Sequence, residues 1–231
     1  MGLDTKDRIL DVAERLFANR GFGATSLRDI TNEAGVNLAA VNYHFGSKEE
    51  LLAATMERRL RPINDLRIQM LDALEASGRH PTHHDVVRAF LIPFFEKHKE
   101  WGEKAHEFRL LSGRVHYEMH EDFRNDMLRP FDHVIERFVD AFLRTLPHLR
   151  RRDIRLRLLF LTGAMAYSLT WGIRLDVWGI DGLVDPEEML DDLLVFSAAA
   201  IASSPGHALR TARPVGAMAP GAPAQPRANS G

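Results

Sequence analysis

Apolar residues recur at three- and four-residue spacing along nearly the whole chain, which predicts helix after helix and no strand-rich segment. Ile9, Val12, Ala13, Leu16 and Phe17 form one face of a first helix that Asp4 or Thr5 can cap and Gly21 stops. Leu27, Ile30 and Ala34 mark a second, short helix. Thr25 or Ser26 can accept the orphan N–H groups at its start, and Gly35 ends it. Asn37 can cap a third helix reaching Phe45. Val41 and Phe45 face inward there, with Leu38 close to their line; Ala39, Ala40 and Tyr43 lie opposite, flanked by Asn42 and His44. Gly46-Ser47 breaks the chain, and Ser47-Lys48-Glu49-Glu50 reads as a capping box. It opens a helix to about Leu74, interrupted at Pro62 and closed by Ser77-Gly78 and Pro81.

The helical pattern continues through Val86–Lys99, Ala105–Met119 and Phe123–Leu146, without an internal repeat. Arg151–Trp171 is apolar nearly all round and must be buried on more than one side. Asp185-Pro186-Glu187-Glu188 is a strong start signal for a last helix presenting Leu190, Leu193, Leu194, Ser197 and Ile201. From Ser203 the composition shifts to Pro, Ala and Gly, which cannot build a core and predicts disorder. The expected class is all-α: a three-helix unit over residues 1–50, a larger helical unit over 51–203 and a tail over 204–231.

Two helices around a glycine turn make the helix-turn-helix arrangement, so DNA binding is the first function to test. Thr25, Ser26 and Arg28, at the start of the second helix, suit a phosphate oxygen. Ala39 and Ala40 allow close approach to the major groove and offer methyl contacts. Asn37, Asn42, Tyr43 and His44 can hydrogen-bond phosphates or base edges, and Lys48 can supply phosphate charge. The third helix carries no Arg or Lys, so bidentate guanine reading from it is excluded.

The stretch from Ile9 to Leu52 resembles the DNA-binding domain of the tetracycline-repressor (TetR) family of bacterial transcription regulators. The matching residues are Gly21-Phe22, Thr25-Ser26-Leu27, Ile30, Ala34-Gly35-Val36, Tyr43-His44-Phe45, Lys48 and Glu50-Leu51. Many members carry Tyr where this chain has Asn42, and a small polar or basic residue at Leu38, so no particular operator sequence carries over. The resemblance implies a homodimer on a double-stranded palindromic operator, paired through the two C-terminal helices as a four-helix interface. It also implies a repressor released by a small-molecule effector. Some members with a similar VNYHFGSKE reader sense fatty acids or their coenzyme A esters, which makes an amphipathic effector the expectation.

Composition narrows this further. Zero cysteines exclude disulfides and thiolate chemistry and suit a cytoplasmic protein. No apolar run reaches membrane-span length, and the charged N-terminus is not a signal peptide. Formal net charge is only −2, and residues 1–60 hold eight Lys or Arg against nine Asp or Glu. An electrostatic footprint for DNA must therefore be local. In the larger unit, Phe94, Phe95, Trp101, Phe108, Leu111 and Trp171 are candidates to line an effector cavity, although an aromatic stripe is more often core. Arg109 or Arg114 could receive an effector carboxylate, against ordinary salt bridges to Glu103, Glu107 or Glu118.

His116 and His120, four apart, and a His80, His83, His84 cluster in a loop raise the rival reading of a helical metal-binding enzyme. The His116–His120 pair needs a third or fourth ligand that the sequence does not identify, such groupings arise by chance among 11 histidines, and no catalytic motif is present, so no metal, cofactor or catalytic residue is expected. A second rival is a protein-interaction module that does not bind DNA.

Overall fold

The computed structural model describes residues 4–171 and 185–204, with side chains described through Ser168 and again from Asp185. Within them every regular element is helical. Three short helices come first: α1 (Thr5–Arg20), α2 (Leu27–Ala34) and α3 (Leu38–Phe45). The long α4 (Lys48–Ala76) leads from them into a body built from α5 (His83–Trp101), α6 (Glu103–Glu118), α7 (Glu121–Leu128), α8 (Asp132–Thr145), α9 (Arg151–Trp171) and α10 (Pro186–Ala202).

Local chemistry sets most of the boundaries. Capping boxes open α2, α4 and α5, from Ser26 with Asp29, Ser47 with Glu50, and Thr82 with Asp85. Asp4 occupies the N-cap of α1 but makes no side-chain cap bond. Pro62 lies inside an unbroken α4. Pro130 has a stronger effect: the expected Phe123–Leu146 helix divides into α7, a 3₁₀ turn over Arg129–Phe131, and α8. A proline lacks the N–H that a continuous helix needs at that point.

One apolar cluster runs through both parts of the chain. Ile9, Leu16, Phe17, Ile30, Val41 and Leu51 fill the N-terminal end, while Phe90, Leu91, Phe138, Phe142 and Ile154 fill the body. Each such side chain, once buried, contributes ~1.5–3 kcal/mol. Helix α1 also packs on α4 and α6, so the first three helices are fixed to the body along two lines.

The first line is ionic. Glu14 of α1 is 1% exposed and accepts from Arg58 Nη2 at 2.5 Å and Arg59 Nε at 2.8 Å, both on α4. Asp11 takes a further Arg58 bond at 2.7 Å. On the second line, Arg114 of α6 donates to Ala18 O at 2.8 Å and Asn19 O at 3.1 Å, capping the C-terminal carbonyls of α1. Glu118 accepts from Arg114 at 2.9 Å and from the Phe22 N–H at 3.0 Å. Gly21, at φ 86°, permits this approach, because a Cβ there would lie 2.9 Å from the Glu118 carboxylate. Arg114, one candidate for the effector carboxylate, is therefore a structural clasp.

Candidate nucleic-acid interface

Caps fix where the two motif helices begin. Ser26 Oγ accepts the Asp29 N–H at 3.1 Å and donates to the Asp29 carboxylate at 2.5 Å, which also takes the Ser26 N–H at 2.9 Å. The hydroxyl first, then the N–H, holds the Asp29 carboxyl below its ordinary pKa. Asn37 Oδ1 accepts the Ala40 N–H at 2.8 Å. Between them Gly35 takes the left-handed conformation at φ 64°, ψ 39°.

These bonds change the candidate set. Thr25 is 1% exposed, and its hydroxyl donates to Gly21 O at 2.8 Å, so it ties the α1–α2 turn. The Ser26 hydroxyl and the Asn37 carbonyl are occupied as caps. Ala40 is half-buried against the core, whereas Leu38, expected near the inward line, is 42% exposed. A helical wheel gives direction but not how far neighbouring helices reach, and Leu38 is the first residue of α3.

What remains outward is compact. Ala39, Asn42, Tyr43 and His44 are exposed on α3, with Tyr43 at 85% and its ring edge-on to His44. Arg28 is exposed on the first turn of α2. Lys48 opens α4 with its ammonium 4.1 Å from the centre of the Phe22 ring.

The acidic residues near this face are largely taken up internally. Asp11 and Glu14 hold Arg58 and Arg59, Glu33 holds Arg15, and Glu57 holds Arg61. Asp29 and Glu50 serve capping boxes. Among the described residues Arg28 and Lys48 form no ion pair, so both charges remain available for phosphate.

Comparison with known proteins agrees with this geometry. Residues 9–55 match the family profile of bacterial regulatory proteins of the tetR family, and residues 88–200 match a tetracyclin repressor-like C-terminal domain. The chain belongs to the TetR family of helix-turn-helix transcriptional regulators.

The regulator AcrR of Shigella flexneri is 38% identical over 66 residues, 29% of this chain and 31% of that protein. TtgR of Pseudomonas putida is 41% identical over 54 residues, 23% and 26%. The matched segment thus spans less than a third of these relatives' own lengths. The TetR family regulator PfmR from Thermus thermophilus shares the fold at TM-score 0.58 and 19% identity, covering 84% of this chain and 97% of that one. A TetR-family regulator from Bordetella parapertussis gives 0.59 and 19%, covering 85% and 95%.

The TetR body departs more from expectation. Phe94 and Phe108 are buried in a ring cluster around His98, at 4.1 and 5.6 Å between centroids. Trp101 completes that cluster, with the Arg59 guanidinium 4.8 Å from its ring centre. Burial lowers the pKa of the half-buried Arg109, and no hydrogen bond or ion pair engages it among the described residues. The side chain of Trp171 lies outside the described residues.

A cleft of about 400 Å³ opens elsewhere, between Leu71, Pro81, Val86, Ala141, Arg144 and Thr145. His116 lies on α6 and His120 precedes α7, so the two do not share a helix face; His83 and His84 belong to the first turn of α5, not to a loop.

One feature carries no signal in the sequence, and a second carries only part of one, since the all-round apolar pattern of α9 already calls for a further packing face. Arg67 of α4 is buried, and no periodicity marks a charged residue on an inward face. Leu159, Phe160 and Tyr167 of α9 are exposed beside Val195 and Phe196 of α10, with Phe160 at 67% and Phe196 at 64%. The residues expected to matter on α10, including Leu193, Leu194 and Ile201, point into the body instead. No helix among the described residues is long and apolar enough to cross a membrane.

Proposed function

We propose that this chain is a homodimeric repressor that binds a palindromic operator in the cytoplasm and is released by a small amphipathic effector. The observation that carries the DNA half is the outward face of α3, Ala39, Asn42, Tyr43 and His44, flanked by Arg28 and Lys48 without acidic partners among the described residues. Small and amide side chains face the base edges, while Tyr43, His44, Arg28 and Lys48 meet phosphates. Ser26 and Asn37 set the helix starts, and Thr25 and Ala40 support them from behind. Residues 1–50 form the reader and 51–203 the effector and dimer unit, with 204–231 as a tail.

The exposed stripe Leu156, Leu159, Phe160, Gly163 and Tyr167 on α9, beside Val195 and Phe196 on α10, supports the dimer. On α9 its spacing repeats every three to four residues, and an exposed apolar face of this kind marks an association surface. Two copies then present two readers about one DNA turn (~34 Å) apart. The Glu14–Arg58–Arg59 and Arg114–Glu118 contacts carry a shift of the body to the readers, and the effector acts by its differential affinity for the two spacings.

Fluorescence anisotropy on DNA from the protein's own upstream region tests this. Saturable binding that weakens with salt and resists random competitor DNA is expected. Lys48→Ala should weaken binding and lower the salt slope by about one. Binding unchanged by both Lys48→Ala and Tyr43→Ala would remove the proposed reader.

A further inference from the structure

One apolar side chain of the reader is left in solvent where its neighbours are not. Leu38 lies close to the Val41–Phe45 line of α3, yet it is 42% exposed. The apolar residues around it are drawn in: Val41 and Phe45 are buried, and Leu27, Val36 and Ala40 pack against the core cluster. From α1 through α4, the large apolar side chains exposed among the described residues are Leu38 and Tyr43 alone. Tyr43 carries a phenol that can face water or phosphate. Leu38 has no polar atom to offer either.

Its place on α3 limits what it can meet. Leu38 is the first residue of the helix, and Asn37 fixes that start by accepting the Ala40 N–H at 2.8 Å. Exposed Ala39 adjoins it, and exposed Asn42 follows one turn later on the same flank. In a helix-turn-helix reader the N-terminal residues of the second helix meet base edges in the major groove. Those edges carry donors and acceptors, and one apolar substituent: the C5 methyl of thymine. An aliphatic side chain loses water there at no polar cost only against that methyl.

We propose that Leu38 reads one thymine in each half-site of the operator by packing against its C5 methyl. Burial of the two apolar surfaces favours thymine. Cytosine at the same place lacks the methyl and presents an N4 amino group whose hydrogen bond Leu38 cannot accept. A purine presents an N7 acceptor that Leu38 cannot satisfy. No Arg or Lys lies on α3, so this contact supplies discrimination that a guanidinium on guanine supplies in other readers. The assignment rests on the DNA binding proposed above, which does not itself require an apolar contact at Leu38.

A thymine-to-uracil scan with the full-length chain tests it. The duplex is the consensus from a random-library selection, and uracil replaces its thymines one symmetric pair at a time. Each replacement deletes a C5 methyl and leaves the hydrogen-bonding edge unchanged. At one pair, wild type should lose about fourfold in affinity per deleted methyl, read by fluorescence anisotropy, and more than about tenfold for the two together. Leu38→Ala, which keeps a good helix former at this exposed position, should bind the thymine and uracil duplexes of that pair equally well. Selection with Leu38→Ala should relax the base preference at that pair.

A consensus in which no thymine is more sensitive to uracil with wild type than with Leu38→Ala overturns the assignment and leaves DNA binding by α3 standing. A Leu38→Ala pool that keeps the wild-type preference at every position does the same. A wild-type pool that stays random removes DNA recognition and this assignment together.

Discussion

The reader and the body dispose of their polar groups in opposite ways. In the first three helices nearly every acid and hydroxyl serves the local architecture: Ser26 with Asp29, Asn37 with the α3 N-terminus, Thr25 with Gly21 O, Glu33 with Arg15. What is left over is Asn42, Tyr43 and His44, outward on α3, with Arg28 on α2 and Lys48 on α4. Among its described residues the body leaves groups unmatched inside and out: Arg67 without an anion, His98 with a buried Nε2 that has no partner, and Phe160 and Phe196 in solvent. A self-satisfied unit with one bare face suits docking onto a rigid partner. A unit with an unmatched internal charge and an apolar exterior suits a ligand and a second subunit.

The sharpest way to break that contrast is at the apolar exterior. Phe160→Asp with Phe196→Asp should convert the dimer to monomer and abolish operator binding, since one half-site holds only one reader. Sedimentation velocity checks it; an unchanged sedimentation coefficient would show that this face is idle.

Next comes the joint between the two regions. Glu14→Ala leaves Arg59 buried without its carboxylate and should cost about 3–5 kcal/mol, read by urea unfolding. A loss within about 1 kcal/mol, that of a surface pair, would mean that reader and body are not coupled through this site.

The smallest effect is internal to the body. His98 Nδ1 contacts Phe94 O at 2.7 Å, so it carries the proton and Nε2 is left bare. Burial outweighs that bond and, with Arg109 and Arg59 nearby, lowers the pKa to about 4 from 6.5. The unfolded chain then binds the extra proton first, so stability is lost as pH falls from about 6.5 towards about 4. At about pH 5 the loss amounts to about 2 kcal/mol, and His98→Leu should flatten it. An acid limb equally steep in both proteins would assign the loss to other groups.

How far the sequence discloses these regions follows from the same difference. The reader is governed by local chemistry, and caps, glycines and short periodicities are visible residue by residue; Ser26, Asn37, Ser47 and Gly35 are all readable as helix ends. The residues that depart from expectation there, Thr25, Ala40 and Leu38, concern which side chains neighbouring helices cover. In the body the decisive facts are non-local. The α9 pattern, apolar all round, announces burial on more than one side, but the outward face of α10 is hidden because Val195 and Phe196 alternate with inward residues. Arg67 reads as one more charge on a long helix until Phe90 and Met165 close over it.

The most direct measurement is a random-library DNA selection on the purified full-length chain, run in parallel with Tyr43→Ala. A twofold-symmetric consensus with half-sites one helical turn apart, enriched by wild type and lost in the variant, is the expected result. A wild-type pool that remains random after selection would contradict DNA recognition by this face of α3.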